Sequence, residues 1–196
     1  MGLHREEIRR QLQESCRVKH SFSEELLGRI EHLAVKSAAA LAEGKKLVFF
    51  GNGGSAADAQ HLAAELVVRL HVERPGLAAL ALTTNPSVLT AASNDYGFEQ
   101  VFARQIESLV EKGDVLVALS TSGNSPNILR GIEAGAKRGA LRVALTGETG
   151  GALAGKVDLL INVPSRDPQR IQEAHITIGH IVCSLIERIC FPKPRP

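Results

Sequence analysis

Tryptophan is absent from this 196-residue chain, tyrosine and methionine occur once each, and phenylalanine six times. Such a sequence offers little material for the aromatic platforms on which single-stranded nucleic acids stack. Nor is there an excess of one charge. The 23 Lys and Arg against 21 Asp and Glu leave a net +2, and Arg5, Arg9, Arg10, Arg17 and Lys19 are interleaved with Glu6, Glu7 and Glu14 instead of forming a basic stripe. A nucleic-acid partner is not expected. The three cysteines, Cys16, Cys183 and Cys190, are odd in number and form no C-x-x-C pair, which argues against a disulfide framework or a zinc knuckle and for a reducing cytoplasm. No apolar run approaches the roughly 20 residues of a membrane-spanning helix, and Met1 to Arg10 holds no apolar h-region, so neither membrane insertion nor export is expected. What is present is ordinary: 44% hydrophobic and 22% charged residues, in a chain long enough for one buried core and too short for two.

From Ser21 onward, Leu26, Leu27, Ile30, Leu33, Ala34, Ala38 and Leu41 recur at helical spacing. Ser21 and Glu24 suggest a capping box at its start and Gly44 a C-cap at its end. A weaker helical pattern precedes it over about Arg5 to Cys16; residues 1–44 thus form helices that cover the sheet or meet another subunit. The pattern then changes to short apolar runs, Lys46–Phe50, Leu77–Leu82, Asp114–Leu119, Leu141–Leu145 and Leu159–Val163, which read as buried parallel strands. Helical stretches lie between them at Ser55–Leu70, Phe98–Glu111, Ser125–Arg138 and briefly near Ala152, with a last helix over about Gln169–Ile189 and a tail marked by Pro192, Pro194 and Pro196. Alternation of strand and helix predicts a doubly wound α/β domain spanning residues 1–196, with ligands at the carboxyl ends of the strands.

Directly after the first strand runs Gly51-Asn52-Gly53-Gly54-Ser55, opening into a helix. Glycines allow a tight turn and close backbone approach, and a helix N-terminus presents free N–H groups, which together make an anion site; a glycine turn used for packing alone is the plainer reading. A dinucleotide fingerprint requires glycine where Ala56 stands and an acidic residue at the end of the second strand, where Leu82-Thr83-Thr84-Asn85 has none. A P-loop requires a lysine that Gly54-Ser55-Ala56 lacks. A phosphate monoester is therefore the expected anion. After the third strand, Ser120-Thr121-Ser122-Gly123-Asn124-Ser125 opens another helix, and its hydroxyls suit a phosphoryl group's oxygens, although Ser125 alone reads as an N-cap. His61 and Glu65 share one helix face and can reach one ion or one substrate atom, or can simply form a surface pair; Arg69 continues that face. On the last helix Gln172, Glu173, His175 and His180 fall close together, and a lone histidine among apolar neighbours reads first as a core residue.

Taken together, the glycine loop, the helix with His61 and Glu65, Asn94-Asp95, the serine-rich hexad, and Arg170-Ile171-Gln172-Glu173 with His180 resemble the sugar isomerase (SIS) domain family, specifically its phosphoheptose isomerases. The resemblance covers the chain after about residue 20. It implies a three-layer αβα sandwich on a five-stranded parallel sheet, a cytoplasmic homotetramer with sites at subunit interfaces, and conversion of sedoheptulose 7-phosphate to D-glycero-D-manno-heptose 7-phosphate for lipopolysaccharide or related glycans. It further implies that Ser55, Ser120, Thr121, Ser122 and Ser125 hold the phosphate and that Asn52, Gly53, Gly54, Asn94 and Asp95 line the sugar. Glu65 and His180 are then the acid/base pair, and His61, Glu65, Gln172 and His180 the ligands of one zinc per subunit. A carboxylate on zinc is a weaker base, so metal-bound and free forms should differ. One departure stands out: relatives carry an acid where this chain has Gln169, with Asp167 two residues earlier. Two other functions fit the same family, a non-catalytic scaffold for the replication initiator and an isomerase for another sugar phosphate. Because Gln172 and His180 lie about 12 Å apart along a straight helix, a site using both is expected to be completed by a second subunit.

Overall fold

The computed structural model describes residues 3–192. Two helices, α1 (Leu3–His20) and α2 (Glu24–Ala42), precede an alternation of β1 (Leu47–Gly51), α3 (Gly54–Val67), β2 (Ala79–Ala81), α4 (Pro86–Tyr96), α5 (Val101–Leu109), β3 (Val115–Leu119), α6 (Pro126–Arg138), β4 (Leu141–Thr146), β5 (Leu159–Asn162) and α7 (Pro168–Cys190). All five strands are parallel in the order β2-β1-β3-β4-β5. Successive residues of each strand face opposite sides, which divides the core in two. Leu47, Phe49, Val115, Val117, Val143 and Leu145 meet α1, α2, α3 and α7, whereas Val48, Phe50, Leu116, Ala118 and Ala144 meet α4, α5 and α6. The result is the expected αβα sandwich, and no helix among the described residues is long and apolar enough to cross a membrane.

The N-terminal helices cover their own domain. Arg29 of α2 donates to the Leu160 carbonyl of β5 (2.8 Å), and Arg170 of α7 donates to the Gln11 carbonyl of α1 (2.6 Å). The start of α2 differs from the expected capping box. Ser23 is the N-cap, accepting from the Leu26 N–H, while the Ser21 hydroxyl donates to Val18 O and closes the end of α1. At the other end Gly44 does terminate α2: its N–H donates to Leu41 O and that of Lys45 to Ala40 O, the paired bonds of a Schellman motif around a glycine with φ of +73°.

Two further differences lie near the sheet edge. The second strand is shorter than Leu77–Leu82 because the Leu77 N–H bonds Leu66 O of α3 instead of β1. The stretch after it contains α4, which the apolar pattern did not predict. It buries only Ala92, so it has no apolar stripe to read; its start is nonetheless marked by Asn85, which caps Val88 N–H, and by Pro86 in the first turn. Beyond α7 the chain reaches Pro192; Pro194 and Pro196 lie outside the described residues.

Candidate active site

Strands β1 and β3 are neighbours whose following helices, α3 and α6, cover opposite faces. Their carboxyl ends bound the crevice where doubly wound sheets bind ligands. The glycine loop and the serine-rich hexad open on it together. Gly53 caps α3 without a side chain, and Ser125 occupies the N-cap position of α6 but makes no capping bond. Among the described residues, no hydrogen bond engages the hydroxyls of Ser55, Thr121 or Ser125, which leaves them free for an anion at two helix N-termini. The hexad itself is held firmly. Ser120 Oγ accepts from Gly123 N–H and Ser122 Oγ from Asn124 N–H, while Asn124 Oδ1 receives the Ala152 N–H (2.8 Å). Gly123 has φ of +67°, and a Cβ there would overlap Gly150 O, so only glycine fits this turn. Asn52 and Asn127 exchange two amide hydrogen bonds (2.8 and 2.9 Å) across the crevice and tie one loop to the other.

Farther along α3, His61 and Glu65 meet His180 of α7. His61 Nε2 lies 2.7 Å from His180 Nε2 and 3.2 Å from Glu65 Oε1, and one ligand atom of each residue lies within 4.8 Å of the others. The two helices approach this closely because Gly179 faces Leu62, where any Cβ would overlap the leucine side chain. Four-coordinate zinc binds N and O ligands at about 2.0–2.2 Å, which puts ligand atoms roughly 3.4 Å from one another. Two imidazole nitrogens and a carboxylate oxygen suit such an ion in chemistry, and the 2.7 Å contact between the histidines would have to open by less than about 1 Å to admit it. Asp58 stands one turn before His61 on the same helix. Burial raises its carboxyl above the usual range against the opposing pull of His61 and His180, and its Oδ2 is buried without a partner.

A family model described as the SIS domain matches residues 12–147. The chain belongs to the SIS domain family. Within that family it is 53% identical to the phosphoheptose isomerase of Geobacter metallireducens over 95% of this chain and 98% of the relative. It is 49% identical to that of Thermodesulfovibrio yellowstonii over 96% and 94%. The solved phosphoheptose isomerase of Neisseria gonorrhoeae superposes with a TM-score of 0.88 at 42% identity, covering 93% of this chain and 98% of the other.

Other site residues expected from the SIS resemblance are placed as follows. Gln172 lies two turns before His180, its amide against Gly54 at the start of α3. Since α7 is one continuous helix beside α3, Gln172 reaches the glycine-loop end of the crevice and His180 the histidine end. His61, Glu65 and His180 meet within one chain, so a second subunit is not needed to bring these three together. Asn94 and Asp95 are exposed near the end of α4, joined by a 2.8 Å hydrogen bond and making none to either loop. Asp167 caps α7 by accepting the Gln169 N–H, so it is engaged in holding the helix start; Gln169 is exposed. Sequence reasoning missed Asn127 and Asp58. Asp58 had a signal, since it stands three residues before His61 on the same helix face. Asn127, whose partner is 75 residues away, had none.

Proposed function

We propose that this SIS domain protein is a phosphoheptose isomerase, a single domain over residues 1–196 that converts sedoheptulose 7-phosphate to D-glycero-D-manno-heptose 7-phosphate. The observation that carries this reading is the distance between the two halves of the crevice. Ser55 opens α3, and His61 and Glu65 follow on the same helix about 9 to 15 Å farther along. A substrate gripped by its phosphate at one end and isomerised at the other must be long. A heptose 7-phosphate carries phosphate on C7 and reacts at C1 and C2, so its whole carbon chain lies between.

In the proposed chemistry Glu65 takes a proton from C1 of the open-chain ketose. The electron pair becomes the C1–C2 double bond of an enediol as the C2 oxygen gains a proton from His180. Return of a proton to C2 and loss of the O1 proton then give the aldose. Ser55, Ser120, Thr121, Ser122 and Ser125 anchor the phosphate, and Asn52, Gly53, Gly54, Asn94 and Asp95 line the sugar. Zinc is the proposed cation, one per subunit, which His61, Glu65 and His180 would hold; Gln172 of the same chain lies about 12 Å from His180 along α7, so a Gln172 ligand would have to come from a neighbouring subunit. When bound, it would polarise the substrate's oxygens as a Lewis acid. The exposed His61, with Ile8 and Leu12 standing out from α1, supports a homotetramer in which a neighbouring subunit closes the open side. A cytoplasmic enzyme supplying heptose for lipopolysaccharide or related glycans completes the proposal.

Purified protein incubated with sedoheptulose 7-phosphate should form an aldose heptose phosphate, followed by NMR. Glu65→Gln, which keeps the shape and loses the base, should lower kcat by about 10²–10⁴ in a folded protein. Turnover of a shorter ketose phosphate in preference to the heptulose reassigns the substrate; no turnover of any ketose phosphate favours the non-catalytic scaffold.

A further inference from the structure

Helices α3 and α7 run side by side in one direction, with Gly54 against Gln172, Leu62 against Gly179 and Leu70 against Glu187. Two members of the histidine–carboxylate triad sit on α3 and the third on α7. An axial slip of one helix by a single residue is about 1.5 Å, enough to pull ligand atoms off a common ion. The hydrophobic effect between the helices is non-directional, and the seating of Leu62 against Gly179 opposes a slip at one point only. A directional contact farther along would fix the register.

Arg74 and Glu187 supply it. Both side chains are only 1% exposed. The Arg74 guanidinium donates to Glu65 O (2.9 Å), Leu66 O (2.7 Å), Pro75 O (3.1 Å) and Glu187 Oε1 (3.0 Å). It thereby caps the last carbonyls of α3, including that of Glu65 itself. On α7, two turns beyond His180, the Glu187 carboxylate receives the N–H groups of Leu70 and His71, both at 2.9 Å, just past the end of α3. We propose that the Arg74–Glu187 pair is a positioning device that locks α3 against α7 in the register at which Glu65 and His61 meet His180. A buried ion pair adds little net stability over apolar residues of similar volume, and register is the best-attested reason to keep one.

This inference rests on the reading of the triad as a metal and proton-transfer site, and the test separates the two. Cobalt(II) replaces zinc as a visible probe. In Arg74→Lys, which keeps a charge opposite Glu187 but loses the fork onto the α3 carbonyls, and in the near-isosteric Glu187→Gln, cobalt affinity by chelator competition should fall about 10–100-fold. The cobalt absorption spectrum should change, and kcat should fall by a similar factor. The KM and the binding of inorganic phosphate should stay within about twofold, since the phosphate loops lie at the other end of α3; that phosphate binding also reports that the variants are folded. Unchanged cobalt affinity, spectrum and kcat in both variants, with only the melting temperature lowered, would overturn the inference and make the pair merely structural. Absence of cobalt binding by the unsubstituted protein would overturn the reading of the triad itself, and the inference with it.

Discussion

In the proposed phosphate site the hydroxyls of Ser55, Thr121 and Ser125 are unengaged among the described residues, whereas the other loop hydroxyls, Ser120 and Ser122, accept bonds from their own backbone. A hydrogen bond to a charged group contributes about 1.5–3 kcal/mol, so Ser55→Ala or Thr121→Ala should raise the KM for sugar phosphate roughly tenfold or more, with inorganic phosphate as a weaker competitor. Unchanged steady-state KM values in both variants would remove the two hydroxyls from the phosphate site. At this scale legibility tracked sequence distance. The pairing of His61 with Glu65 was readable because four residues on a helix bring them together. His180 was not readable from its neighbours, among which a histidine reads first as a core residue. That description fits His175 instead, wholly buried on the same helix with Nε2 3.2 Å from Thr146 O. Arg74 gave no signal either, since its carboxylate partner is 113 residues away.

The elements were most legible where an apolar face had to be covered. Four of the five strands lie within a residue of their expected ends at each terminus, because β1, β3, β4 and β5 carry the two halves of the core in every second residue. The fifth, β2, and the undetected α4 sit at the edge, where little apolar surface is buried and capping chemistry and loop hydrogen bonds decide the outcome. The contact between α7 and β4 has a measurable cost in acid. Burial lowers the His175 pKa from 6.5 to about 4, against the modest opposing pull of Thr146 O. The unfolded chain therefore takes up a proton over a range in which the folded one does not. The stability due to this residue is complete above about pH 6.5 and is lost as pH falls toward 4, an effect of about 3 kcal/mol in total. Urea melts across that range should show a falling midpoint for the unsubstituted protein and a flatter one for His175→Gln; parallel curves would contradict the assignment.

For the whole molecule, α1 presents Ile8 and Leu12 at 59% and 63% exposure beside a helix that otherwise serves its own domain. If these residues lie in a tetramer interface, Leu12→Glu should shift the mass measured by light scattering from four chains toward two or one, and activity should fall in parallel. A chain that is monomeric before substitution, with full activity, would sink the proposed assembly. One consequence follows from the order in which the parts occur along the chain. Every strand and both proposed phosphate loops lie before residue 168, whereas His180 and Gln172 belong to α7, the last helix among the described residues. During synthesis the chain emerges from its N-terminus and folds as it lengthens. A ribosome-bound intermediate would thus carry both loop sequences of the proposed anion site before the residues proposed to move a proton. The same helix carries Ile171, Ile178 and Ile186 of the core, so in the proposed reading completion of the fold and competence to move a proton arrive together.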